Sequence, residues 1–226
     1  MGRPMVGLGP AARAYRRGAQ FARGWATGYT PVLGSVRHRW EFGMRLRRDR
    51  AQLLVIDLQE KLLPKIHRHE SVLASAGRML QAARILGLPL LATEQYPKGL
   101  GRTHLSITSL LREVKPVEKL HFSCFRHEGF GRLLARQDRQ QVIVVGIETH
   151  ICVLQTTLDL LENGFEVFIC ADAVGSRCPF DYEVAVQRLR LAGATITTTE
   201  AAIFELLDRA GTDTFRQILK LITQDQ

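Results

Sequence analysis

Short apolar runs alternate along this chain with stretches whose apolar positions recur at helical spacing. The first run, Gln52-Leu53-Leu54-Val55-Ile56, closes on Asp57 and reads as a strand buried on both faces. Val72, Leu73, Ala76, Met79, Leu80 and Ala83 then recur every three or four residues and predict a helix over 71–86, stopped by Gly87. The same reading predicts strands at 88–93, 116–119, 141–146, 166–171 and 194–198. It predicts helices near 107–113, 128–136, 150–163, 179–192, 200–209 and 213–223, with a Gly-containing loop at 97–101. Strands that alternate with helices in this way predict a doubly wound α/β fold. The expectation is a six-stranded parallel sheet of order 3-2-1-4-5-6 with helices on both faces.

The chain has 226 residues, 46% hydrophobic and 23% charged, which suits one α/β domain with a substantial core. No apolar run approaches the roughly 18 residues of a membrane span, so no membrane partner is expected. The formal net charge of +9 would suggest nucleic acid, but its distribution does not. Residues 1–50 hold eleven arginines against Glu41 and Asp49, which accounts for the whole excess. The other 176 residues carry twenty basic and twenty acidic side chains, without the bias that phosphate binding requires. We therefore divide the chain into a disordered basic extension, 1–43, and a folded domain, 44–226. The extension reads as translated upstream sequence before a true start at Met44, as a presequence, or as a basic tail. Cytoplasmic placement goes with the first reading and mitochondrial placement with the second.

The candidate chemistry lies at strand ends. Cys152 falls in the first turn of a predicted helix, just past the strand 141–146. Helix N-termini lower a thiol's pKa and present free N–H groups. Buried free cysteines are nevertheless mostly inert packing residues. Asp57 ends the first strand, either to cap a turn or as a general base in a cleft. In the predicted strand order these two ends are neighbours at the switch point, where open parallel sheets place their sites. Lys119, at the end of the short third strand, can reach the same crevice, although a lone lysine is usually a surface residue. Cys124, Cys170 and Cys178 complete the set; there is no CxxC pair and no metal-finger spacing, so a reducing compartment is expected.

Together these segments resemble the isochorismatase-like cysteine hydrolases, from about Arg47 to Ile222. The resemblance rests on Val55-Ile56-Asp57-Leu58-Gln59, the loop Thr93-Glu94-Gln95-Tyr96-Pro97-Lys98-Gly99-Leu100-Gly101, Glu118-Lys119, Gly146-Ile147-Glu148-Thr149-His150-Ile151-Cys152-Val153 and Ala171-Asp172-Ala173-Val174-Gly175-Ser176-Arg177. It implies a Cys-Asp-Lys triad with Cys152 as nucleophile, Asp57 as general base and Lys119 as third member. It also implies a cis Ile147–Glu148 peptide, an oxyanion hole from the N–H groups of Glu148 and Cys152, and a homo-oligomer. The Asp-x-His that holds metal in nicotinamidases has no counterpart in Thr93-Glu94-Gln95-Tyr96, so no metal and no cofactor is expected. True isochorismatases act without this cysteine, which argues against isochorismate as substrate.

The expected function is therefore hydrolysis of a small-molecule amide through a thioester-type intermediate. The alternative is a non-catalytic binding or scaffold protein of the same fold. A nucleotide-binding reading would need a glycine-rich loop after the first strand, and Asp57-Leu58-Gln59-Glu60-Lys61 has no glycine. Candidate substrate contacts are Glu94 and Gln95 as polar pocket groups, and Tyr96 and Phe122 as pocket wall or core. His150 is placed either against substrate or in solvent. Arg177 is read as binding a carboxylate or as pairing with Asp172 or Asp181.

Overall fold

The computed structural model describes residues 45–223. The expected extension 1–43 lies outside the described residues. Six strands form one parallel sheet: β1 (Ala51–Ile56), β2 (Leu90–Gln95), β3 (Val117–Lys119), β4 (Gln141–Ile147), β5 (Glu166–Gly175) and β6 (Thr195–Thr197). Their spatial order is β3-β2-β1-β4-β5-β6, as the alternation of elements predicted. The helices are α1 (His69–Leu86), α2 (Pro97–Leu100), α3 (Leu105–Leu111), α4 (Phe130–Ala135), α5 (Leu154–Glu162), α6 (Pro179–Ala192), α7 (Thr199–Leu207) and α8 (Asp213–Thr223). Among the described residues, no helix is long and apolar enough to cross a membrane.

Two cores follow from the two-residue period of the central strands. Leu53 and Val55 of β1, with Ile143, Val145 and Ile147 of β4, point to the face covered by α1, α3, α7 and α8. Leu54 and Ile56, with Val142 and Val144, point to the other face, against Phe130, Leu134, Leu160 and Leu189. Every residue of β1 and β4 is buried, Gln52 and Gln141 included, which is why the rest of each strand reads as a continuous run and not as an alternating one. Gly87 ends α1 as expected: at φ 68° its N–H reaches back to the carbonyls of Ala83 and Arg84.

Four of the departures from the sequence reading have a clear local cause. The second strand begins two residues later, because Leu88 N–H is still bonded to Ala83 in the helix terminus and Pro89 has no N–H to give. Residues 97–101 include a short helical turn, α2, begun by Pro97 at its first position. The fifth strand runs on to Gly175 through an irregularity, since Val144 pairs with Ile169 but Gly146 with Val174. The helix predicted from 150 starts only at Leu154, because Thr149–Val153 form a wider π turn.

Gly146 fixes how closely the two central strands meet. It sits opposite Ile56, at φ 126°, and a Cβ there would lie 2.0 Å from the Ile56 carbonyl oxygen. Only glycine permits this approach. The close approach sets the segment after β1 beside the segment after β4.

Candidate active site

Asp57 follows β1 directly, fully buried and in the left-handed region at φ 52°. An L-residue there costs about 1–2 kcal/mol, which the surroundings must enforce. They do so at several points. Asp57 N–H donates to the Thr93 carbonyl at 3.2 Å, and the Asp57 carbonyl accepts from Gln59 N–H at 2.8 Å. Thr93 Oγ1 donates to Asp57 Oδ1 at 2.7 Å, and Lys119 Nζ donates to Asp57 Oδ2 at 2.7 Å.

Lys119 is not the surface lysine its type would suggest. It ends β3 at 2% exposure, and Nζ also donates to Gln95 Oε1 at 2.7 Å and to the Phe122 carbonyl at 3.2 Å. All three ammonium donors thus have an acceptor. Burial works against the charge, but the Asp57 carboxylate and the nearby Cys124 and Cys152 thiols outweigh it and raise the Lys119 pKa.

Cys152 lies in the π turn at 5% exposure, with the Asp57 carboxylate as a hydrogen-bonding neighbour. The sequence reading expected a depressed thiol pKa, and the structure corrects this. Burial first, and the Asp57 charge second, push it well above the ordinary thiol value, while Lys119 pulls only part of the way back. Cys124 is a second buried thiol, 3.6 Å from Thr93 Oγ1, pushed up to about 11 by burial and by Asp57. Cys170 is a core residue, as expected, and Cys178 is exposed.

The Ile147–Glu148 peptide is cis. The Glu148 side chain is buried and its Oε2 accepts from Arg177 Nε at 2.9 Å and from Arg177 N–H at 3.3 Å. Arg177 therefore pairs with Glu148, where the sequence reading offered Asp172 or Asp181. Asp172 is engaged elsewhere, accepting from the backbone and hydroxyl of Thr199.

The remaining candidates divide by what holds them. Glu94 clasps the loop after α2, accepting from Thr103 N–H and Oγ1 at 2.7 Å and from Arg102 at 3.0 Å. Gln95 belongs to the Lys119 shell and donates to the Leu120 carbonyl at 2.8 Å. Tyr96 and Phe122 are half-exposed, so neither fills the core. Tyr96 lines a cleft of about 520 Å³ that opens beside Lys119, with Pro97, Leu120 and His121; Phe122 does not. His150 is three-quarters buried, with Nδ1 2.9 Å from Ser176 Oγ and Nε2 3.9 Å from Asp181.

Sequence reasoning missed Thr93 and Gln59. Thr93 sits opposite Ile56 in the sheet, so a hydroxyl at that strand end points at the residue following β1. Gln59 bonds both backbone groups of Gln95 and the Gly101 carbonyl, which ties the Asp57 turn to the β2 end. The signal for each was a polar residue beside an apolar strand end, visible only once the strands were paired.

The model of the Isochorismatase domain matches residues 51–201. The chain belongs to the isochorismatase family. It is 43% identical over 179 residues to isochorismatase domain-containing protein 2 of Danio rerio, covering 79% of this chain and 89% of that protein. Among solved structures, the MAR1 ribonuclease of Caenorhabditis elegans is 40% identical with a TM-score of 0.73, over 79% of this chain and 92% of that one. The YcaC gene product of Escherichia coli, described as an octameric hydrolase of unknown specificity, has a TM-score of 0.75 at 21% identity, over 80% and 92% of the two chains. The last of these shares the isochorismatase fold. Family membership supports a hydrolase fold for the described domain.

Proposed function

We propose that this protein is a cysteine-dependent hydrolase of a small-molecule amide, with Cys152 as nucleophile, Asp57 as general base and Lys119 as the third member of the triad. The observation that carries this reading is the fully buried Lys119–Asp57 ion pair set against the Cys152 thiol. A buried pair of this kind gives little net stability compared with apolar packing, so its presence points to chemistry.

In the resting site the thiol is neutral, because burial and the adjacent carboxylate both oppose its charge. On attack, Asp57 accepts the proton from Cys152 Sγ as the sulfur bonds to the substrate carbonyl carbon. The Lys119 charge stays in place throughout and offsets whichever anion is present. The N–H groups of Glu148 and Cys152 receive the oxyanion, each worth about 3–4 kcal/mol. Collapse breaks the C–N bond, and protonated Asp57 hands its proton to the leaving amine. Water, deprotonated by the same carboxylate, then attacks the thioester carbonyl; the C–S bond breaks, Asp57 returns the proton to Cys152 Sγ, and the acid leaves. The Glu148–Arg177 pair positions the oxyanion segment. No metal or cofactor takes part.

A homo-oligomer accompanies this reading, in line with the octamer described for the related E. coli fold. The ribonuclease name of the nematode relative does not transfer readily. Residues 51–226 have no net charge, and an RNA-binding surface draws its affinity from cationic phosphate contacts. The test is intact-mass spectrometry during incubation with a panel of small amides and with p-nitrophenyl acetate. The expected result is an acyl adduct that maps to Cys152 and clears with release of acid, and that Cys152→Ala abolishes. An unmodified Cys152 with no turnover across the panel favours the binding-protein alternative.

A further inference from the structure

Helix α6 turns to solvent an apolar stripe that the other described residues leave uncovered. Phe180 is 70% exposed, Val184 47% and Leu191 89%, with exposed Gln187 between them. At 3.6 residues per turn these four positions fall within about 60° of arc. Ala185 and Leu189, on the opposite side, are the residues that α6 buries. Single exposed apolar residues are ordinary, but three along one helix face, interrupted only by Gln187, are the pattern of a packing seam. Of the other exposed apolar side chains, Tyr96 and Leu120 line the cleft already described, while Leu105, Phe122, Phe204 and Leu219 lie outside it.

The flanking charges select the occupant. Glu183 and Arg190 border the stripe on one side, Asp181 and Arg188 on the other. On both flanks the acid is nearer the N-terminus and the arginine seven residues on. Among the described residues, Glu183, Arg188 and Arg190 form no ion pair within the chain. A second α6 laid antiparallel about a two-fold axis sets Glu183 against Arg190 and Asp181 against Arg188. It also sets Phe180 against Leu191 and Val184 against Gln187, and opposes the helix dipoles favourably. A parallel arrangement would place like charges together.

We propose that α6 is the seam of a two-fold homodimer, packed antiparallel on α6 of a second copy. This rests on the homo-oligomer reading above and names its surface. The seam borders the candidate site, because α6 follows Arg177 directly and its Asp181 approaches His150.

The experiment is sedimentation velocity of the full chain in wild type, Leu191→Lys, Glu183→Arg, Arg190→Glu and the Glu183→Arg/Arg190→Glu pair, with circular dichroism to confirm folding. The wild type is expected to sediment as a dimer or a multiple of it, and Leu191→Lys as a species of half that mass. Each charge reversal should weaken association about tenfold or more, and the double reversal should restore it. The charge series stands independently if Leu191→Lys misfolds. A monomeric wild type, 25.4 kDa, overturns both the oligomer reading and the seam. An oligomer unaltered by every variant overturns the seam alone.

Discussion

Lys119 Nζ stands 2.7 Å from Asp57 Oδ2, and both side chains are wholly removed from solvent. Each makes the other's burial tolerable. Removing one partner strands a charge in the core, whereas removing both leaves a polar but uncharged site. Lys119→Met is therefore expected to destabilise the fold by about 3–5 kcal/mol. The combined Asp57→Asn/Lys119→Met variant should lose less than the sum of the two single losses. Urea denaturation of the four proteins at pH 7 measures this coupling, and strict additivity would show that the pair is not coupled.

The raised Cys152 pKa makes a distinct prediction for alkylation. Iodoacetamide should modify wild-type Cys152 slowly at neutral pH, with a rate that climbs only above the roughly 8.5 of a free thiol. Asp57→Asn removes the negative charge that opposes the thiolate and leaves Lys119 beside it. Labelling of Cys152 should then become faster at pH 7, while hydrolysis falls about 10²–10⁴-fold for want of a base. Peptide mapping against pH in both proteins reads this out. Slower labelling in the variant would mean that the carboxylate draws the proton from the resting thiol.

Glu94 carries an acid-side dependence of stability. Burial opposes its charge, but the hydrogen bonds from Thr103 and the Arg102 guanidinium outweigh burial and leave its pKa lowered. A carboxylate whose folded pKa is depressed adds stability above its unfolded value, about 4.3, and loses it as pH falls through the folded value. Glu94→Gln should therefore be less stable than wild type at pH 7, with the gap closing below about pH 4. Denaturation midpoints at pH 7 and pH 3 check the sign.

Gly146→Ala tests the approach of the central strands. The new methyl would meet the Ile56 carbonyl oxygen at 2.0 Å and hold a backbone at φ 126°. A loss of more than about 4 kcal/mol is expected, enough to leave little folded protein. Gly164→Ala is the control. It has a similarly positive φ of 83° but nothing within 4 Å of the added carbon, so only the backbone strain remains. Thermal melts of the two variants separate steric overlap from strain.

Asp57 and Cys152 were legible early because both follow strands whose apolar character is unbroken, and the alternation of elements made those strands neighbours. The strand order and both central strands follow from the same pattern. Strands buried on both faces, as β1 and β4 are, read as near-continuous apolar runs, and parallel connections leave few topologies.

Other features depended on the folded chain. The partner of Arg177 was decided by the turn of the chain at Glu148, which no spacing encodes. Thr93 and Gln59 took their roles from the register of β1 against β2 and from the loop that Gln59 ties down. The protonation of the site was also a tertiary outcome. Local sequence put Cys152 at a helix start and so favoured a low pKa, but burial and a carboxylate distant in sequence reversed the sign. Periodicity is written into neighbouring residues, so the sequence alone determined the layers and the strand order. The electrostatics of a buried thiol depend on which distant charges the fold gathers around it, and only the tertiary structure decided that.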